Sequence, residues 1–450
     1  MLTASFKRYS KNLFAILLIT GFFTFPFIQP TLAQKSSFQY DVEITKETLA
    51  PPVFSKEGGF YNSGFVLNLS SPEPGATILY TLDGSMPLEE NLGGSTYLYK
   101  NFFPYYRGQI PGPFLTGSCN SYIYSSAIQI SDRSSEPDSM TCHSSSFHSD
   151  PFYIPETPVF KGTVVRARCI KEGFEDSRVE TQVYFVCPEG RNRYKLPVIN
   201  ISINEDDFFD YFNGIYTAGV EFDNWRLANP QDTTIGNRPA NYYRSGDEWE
   251  YPAHLAFFSK DSLHPDLNMN MGIRIHGAWT RAFPMKSLRL YARSEYGTSS
   301  FNYPVFPSQS YSSYKRLILR NSGNDYHYTM FRDAVIQKIV GHMNFDTQAY
   351  QPSVLFVNGE YWGIHNIRER YDKHYIERVY NIEPEELDFM EMNSIVSEGD
   401  SIHYTETLQY IKDHNLEADS NYQYIQTRID TRNFIDFQIA HIYVADIDWP

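Results

Sequence analysis

Met271–Arg293, MGIRIHGAWTRAFPMKSLRLYAR, is the stretch whose reading decides the fold. Gly272–His276 has the β-rich look of a strand, Gly277–Pro284 reads as a loop, and Met285–Ala292 alternates again with period two. In that second strand Lys286 is in phase with Leu288 and Leu290, while Ser287, Arg289 and Tyr291 take the opposite face. A lysine on the apolar face is the anomaly. Burying an ammonium costs several kcal/mol unless an anion meets it, so a carboxylate or phosphate is expected at its tip. The plainer alternative is that the side chain snorkels to the sheet edge.

Upstream, Leu196–Ile201 reads as an edge strand after the basic hinge Arg191–Lys195, Asp206–Phe212 as a short helix and His254–Phe258 as a strand. Downstream, Tyr314–Arg320 is a strand and Asn321–Tyr328 a polar loop. A helix follows from Tyr328 or Thr329 to about His342, with Phe331, Val335, Ile336 and Ile339 on its inner side. Ser353–Val357, Asn358-Gly359 and Glu360–Ile367 spell a hairpin. Thr431–Ala445 is a strongly apolar helix, and Asp446 and Asp448 follow its end. Acids there oppose the helix dipole, so a positive partner is expected: a divalent cation, a substrate proton or a surface salt bridge.

The 450 residues suffice for two or three domains. Lys and Arg number 38 against 53 Asp and Glu, a formal charge of -15, which argues against a general nucleic-acid binder. Residues 1–33 have a basic start at Lys7, Arg8 and Lys11, an uncharged apolar run and small residues before Gln34, the layout of a signal peptide. Residues 34–50 read as a linker. Residues 51–187 read as a β-sandwich of short strands with turn signals at Asp83-Gly84 and Lys171–Gly173, interrupted by an insertion at 88–158 rich in Ser, Tyr and Pro. Export would put Cys119, Cys142, Cys169 and Cys187 in an oxidising space, where pairs Cys119–Cys142 and Cys169–Cys187 are expected.

Two resemblances refine this reading. GGFYNSGFVLNLSS, GATILYTLDGSMP and GTVVRARCIKEGFEDSRVETQVYFV together resemble the immunoglobulin-like module found at the C-terminus of chitobiases and hexosaminidases. LPVINISI, GIRIHGAWTRAFPMKSLRL, LILRNSGND with MFRDAVIQKI, LFVNGEYWGIHNIRERYDKHYI and TRNFIDFQIAHIYVADIDWP follow one another as in the spore-coat protein H (CotH) kinase family, across residues 196–450. The resemblance implies an α+β chain: the sandwich, then an atypical protein-kinase-like two-lobed domain whose C-terminal lobe is incomplete.

It also implies transfer of the ATP γ-phosphate to Ser or Thr of a protein, with ATP and Mg2+ as cofactors. Lys286 resembles the phosphate-binding lysine, Glu369 the acid closing the hairpin near the nucleotide, and Arg332 and Asp333 the charged pair opening the helix. Asp448 matches the catalytic aspartate, with Asp446 offered to the metal, and Asp333 is the expected partner of Lys286. Arg274 and Arg281 are further phosphate contacts on this reading. No glycine-rich loop, HRD or DFG triplet occurs where expected, and the chain reads as a fragment of a longer protein. The protein is expected to be secreted or held at the cell surface, with no membrane span after signal cleavage. The competing reading keeps the fold and makes it a non-catalytic adhesion protein that binds matrix or polysaccharide.

Overall fold

The computed structural model describes residues 46–104, 109–147, 154–232, 238–391 and 394–447, with a two-residue strand at Ser5–Phe6. Apart from that strand, the expected signal segment lies outside the described residues, as do most of the linker and Asp448. Thr163–Ile170 and Glu180–Val186 are largely buried on both faces, so the sheet they form is covered on both sides. They form the middle of a five-stranded sheet in the order Gly59–Tyr61, Glu180–Val186, Thr163–Ile170, Thr77–Thr81, Tyr122–Ile123. One face packs Val165, Ala167 and Tyr184 against Leu67, Leu69 and Ile130 of short facing strands. The other face brings Val164, Val183 and Phe185 onto a second body, against Val198, Phe258, Val354 and Phe356.

That second body is a closed seven-stranded barrel: β1 (Val198–Ser202), β2 (Tyr251–Phe258), β3 (Leu267–His276), β4 (Ser287–Tyr291), β5 (Arg316–Arg320), β6 (Tyr350–Val357) and β7 (Glu360–Glu369). Its cyclic order is β1-β2-β3-β4-β5-β7-β6, closed by the parallel pairing of β6 with β1. The β6–β7 turn is Asn358-Gly359, with φ of 49° and 83°, the left-handed geometry that this dipeptide accepts most readily. Alternation sends Ile273, Ile275, Leu288, Leu290, Leu317 and Leu319 inward. Burying Leu288 and Leu290 contributes roughly 1.5–3 kcal/mol each. The outer wall therefore divides in two. The sandwich covers β6, β1 and β2 and touches the starts of β7 at Tyr361 and of β3 at Asn268, and β4, β5 and the far ends of β3 and β7 stay outside that contact.

The insertion, whose role is illegible in the sequence, straps the two bodies together. Its hairpin pairs Ser95–Tyr99 with Leu115–Cys119. Its later stretch closes on the buried carboxylate of Glu360 on β7, which accepts from the amides of Ser139, Met140 and Thr141 at 2.5, 3.0 and 2.8 Å and from the hydroxyls of Ser139 and Thr141, both at 3.0 Å.

Several expectations change. All four cysteines are free. Cys169 sits inside a sheet with its thiol on Ser71, Cys187 turns to the Gly190 carbonyl, and Cys142 to the carbonyls of Asp138 and Ser139, so neither expected disulfide forms. The helix after the polar loop is Arg332–Val340, and it buries Ala334 and Val340 while Phe331, Val335 and Ile339 are exposed, the reverse of the expected face. The helix Thr431–Tyr443 likewise exposes Phe434, Ile435, Ile439 and Ile442. No helix among the described residues is long and apolar enough to cross a membrane.

Buried titratable groups set a pH optimum for stability. Burial lowers His143 and His365 to about 4 and His254 to about 3, and raises Glu205 to about 8 and Asp207 to about 7, with Asp83 and Asp206 respectively adding repulsion. As pH drops below the ordinary histidine value of about 6.5, the unfolded chain takes up protons that the folded imidazoles refuse, so stability falls. As pH rises toward 8, the unfolded chain has released carboxyl protons that folded Glu205 and Asp207 keep, so stability falls again. Each uncompensated proton is worth about 1.4 kcal/mol per pH unit. Denaturant midpoints measured from pH 5 to 8.5 are expected to peak near about pH 6.5. A monotonic rise across that range contradicts the assignment.

Candidate functional site

Because the strands of the uncovered wall send their aliphatic residues inward, the intervening residues must face outward. On β3 that is His276, on β4 Arg289, on β5 Arg316 and Arg320, and on β7 Arg368, with Arg370 just past the strand end. Register brings them together: Arg289 stands opposite Ile318, and Ile318 opposite Arg368. Arg281 joins from the loop between β3 and β4, near enough to Arg289 for the two charges to oppose each other.

These six arginines have two aspartates between them. Asp333 meets Arg320 at 3.0 Å and Arg368 at 3.1 Å, and Asp372 meets Arg316 at 2.9 Å and Arg370 at 3.3 Å. Arg289 donates to Tyr291 Oη at 3.2 Å and contacts His276 Nδ1 at 2.9 Å, while Arg281 donates to the Gly277 carbonyl at 2.6 Å. Buried nitrogens remain without a hydrogen-bond partner: Nε of Arg289 and Nε and Nη1 of Arg368 and Arg370. Burial, and then neighbouring arginines, hold Arg281, Arg368 and Arg370 below the ordinary guanidinium value. A chain of net charge -15 has thus gathered cations on one face, with donors left over. A planar guanidinium fork suits bidentate oxyanions such as phosphate, and a multiply charged anion would relieve both the repulsion and the unmet hydrogen bonds.

Lys286 is fully buried, as its phase requires, but among the described residues no carboxylate meets it. Its Nζ donates to the carbonyls of Arg281 at 2.6 Å and Phe283 at 2.9 Å, 4.0 Å from the centre of the Tyr242 ring. Burial holds its pKa well below the ordinary lysine value. The carbonyls between and beyond are also taken, that of Ala282 by Ser146 Oγ at 2.6 Å and that of Pro284 by Ser145 Oγ at 2.6 Å. Four successive carbonyls of the loop that carries Arg281 are therefore gripped, alternately by Lys286 and by the insertion.

The remaining expected residues do not converge on one point. Asp333 serves Arg320 and Arg368 rather than Lys286, because it opens its helix against the outer wall. Glu369 faces the other way from Arg368 and Arg370, bound by Arg378 at 2.8 Å and by the Tyr311 hydroxyl. Arg332 pairs with Asp325 at 3.2 Å, and Arg274 with Glu250 at 2.6 Å. Asp446 Oδ2 lies 2.8 Å from His441 Nδ1, and Asp448 is outside the described residues. Among the described residues no three His, Cys, Asp or Glu side chains form a metal site.

His276, Arg289, Arg316, Arg320, Arg368 and Arg370 escaped the sequence reading. The signal was the alternation that already set Arg289 opposite to Leu288. A cleft of about 990 Å³ lies elsewhere, at the seam with the insertion, lined by Phe160, Tyr194, Tyr326, Tyr361 and Trp362. It includes none of the six arginines, so its size does not make it the site of anion chemistry.

Residues 273–450 match the family described as CotH kinase protein, and residues 67–184 match that described as Fn3 associated. No curated protein matches the chain. The first match begins inside β3, although β1 and β2, which precede it, close the same barrel. The chain therefore carries a domain of the CotH kinase protein family, preceded by a β-sandwich module of the Fn3-associated type.

Proposed function

We propose that the chain is a secreted atypical kinase that moves the ATP γ-phosphate to Ser or Thr of a protein. The observation that carries this reading is the arginine face, where four of six guanidiniums share two carboxylates, Arg281 and Arg289 pair with none, and buried donors are unmet. The triphosphate fits it by charge and by donor geometry. On this reading Arg289, Arg320 and Arg370 would receive it, with Arg281 beside them held by the carbonyls of Gly277 and Arg244. Lys286 contributes from beneath, as a positioning residue that fixes the loop bearing Arg281. Glu369 and Arg332 hold the surrounding elements in place through Arg378 and Asp325.

Magnesium, were it bound with the nucleotide, would neutralise charge developing on the phosphates. Asp446 and Asp448, after the helix Thr431–Tyr443, are the carboxylates this part of the chain offers it. Asp448 takes the proton of the acceptor hydroxyl as its oxygen bonds to the γ-phosphorus and the bond to ADP breaks. Secretion rests on the composition of residues 1–33.

The test is transfer of radiolabelled γ-phosphate by the full-length protein and by its Asp448→Asn variant. Loss of a general base is expected to lower the rate by about a hundredfold or more. Equal labelling by both proteins overturns the catalytic reading, and failure to bind Mg-ATP at all favours the adhesive one.

A further inference from the structure

Among the arginines of this barrel wall stands one imidazole, beside the carboxylates of Asp333 and Asp372 and the Tyr291 hydroxyl. His276, at the end of β3, points outward into the arginines. Its Nδ1 lies 2.9 Å from Arg289 Nη2. A guanidinium has only donors to offer, so Nδ1 accepts and the ring is neutral, with its proton on Nε2. The charged groups facing the ring are all cations: Arg289 from β4, Arg320 from β5, Arg370 from beyond β7 and Arg281 from the loop. The nearest acids are committed to those arginines, Asp333 to Arg320 and Asp372 to Arg370.

We infer that anion binding at this face is coupled to protonation of His276, so that the site takes up a proton together with its phosphate ligand. The inference rests on the arginine face being the phosphate site. Two effects act in the same direction. A bound dianion cancels the field of the arginines, which favours the imidazolium. Protonation also puts a hydrogen on Nδ1, which can then no longer accept from Arg289, so that guanidinium is released to bind the anion. Burial and the four arginines hold the free imidazole well below its ordinary value, so the proton arrives only with the ligand. By reciprocity of linked binding, the affinity for the anion must rise as pH falls.

Phosphates themselves titrate near neutrality, so the probe is sulfate, which stays a dianion throughout the range used. Sulfate affinity of the full-length protein is measured from pH 8 to pH 5.5 for the wild type and for His276→Gln. Wild-type affinity is expected to tighten by about three- to tenfold over that range, as one proton of linkage allows, while the variant stays flat. An affinity that is independent of pH, or a pH dependence identical in the variant, overturns the coupling and leaves the arginine reading standing. Absence of sulfate binding at every pH overturns that reading, and the coupling with it. Should the variant not fold, the imidazole resonance of His276 in the wild type is followed by NMR with and without sulfate. An upward shift of its protonation midpoint on adding sulfate is expected, and an unchanged midpoint overturns the coupling.

Discussion

Glu360→Ala is expected to destabilise the protein by about 3–5 kcal/mol, because it leaves five donors of the insertion without the carboxylate that now satisfies them. Glu360 is 4% exposed, so water has little access to replace it. The damage should not stay local. Releasing Ser139–Thr141 also loosens Ser145 and Ser146, which hold the Pro284 and Ala282 carbonyls of the Arg281 loop. Denaturant unfolding measures the first effect, and limited proteolysis, with new cleavage between 138 and 147, the second. A loss below about 1 kcal/mol with an unchanged digestion pattern contradicts the strap assigned to the insertion.

Lys286→Ala is the second large effect. The substitution removes the donor to two carbonyls of the same loop and empties the space beside the Tyr242 ring. A cost of about 2–4 kcal/mol is expected from the two unmet acceptors and the lost packing. ATP affinity should fall as well, because Arg281 is no longer held near Arg289. Lys286→Met separates the two roles, since it keeps most of the packing and restores neither hydrogen bond. If both variants retain wild-type stability, the loop is not anchored in this way.

Much of the architecture could be read from the chain because it depends on alternation. The strands around Lys286, the Asn358-Gly359 hairpin and the short strands of the sandwich with their Asp83-Gly84 and Lys171–Gly173 turns are all local patterns. Lys286 was correctly placed on the inner face, yet its partner was expected to be an anion. The partners are carbonyls of a loop that curls back over it, and no spacing encodes that curl. The arginine face was hidden for a different reason. Arg289, Arg320 and Arg368 belong to strands that become neighbours only because β5 pairs with β7 and not with β6. Alternation shows that each points outward, while only topology shows that they point outward together.

The helix Arg332–Val340 marks another boundary of local reasoning. Phe331, Val335 and Ile339 recur at helical spacing, which predicts them on its inner side, yet the helix is held to the wall by Asp333 through Arg320 and Arg368. Two ion pairs, one with the half-buried Arg320 and one with the buried Arg368, orient it, and the apolar stripe turns outward. The disulfides failed for a related reason. The Cys187 and Cys142 thiols turn to carbonyls of their own turns, and the Cys169 thiol meets Ser71 across the sandwich, so none of these three faces another sulfur.

Calorimetric titration of the full-length protein with ATP tests most directly whether the uncovered barrel wall receives the phosphates. Each charged hydrogen bond is worth about 1.5–3 kcal/mol, so combining Arg289→Ala with Arg370→Ala is expected to weaken ATP binding by about a hundredfold or more. The barrel core beneath them should stay intact, as a thermal melt of the same variant can verify. ATP binding that survives the double substitution within about twofold contradicts the assignment of this face to the nucleotide phosphates.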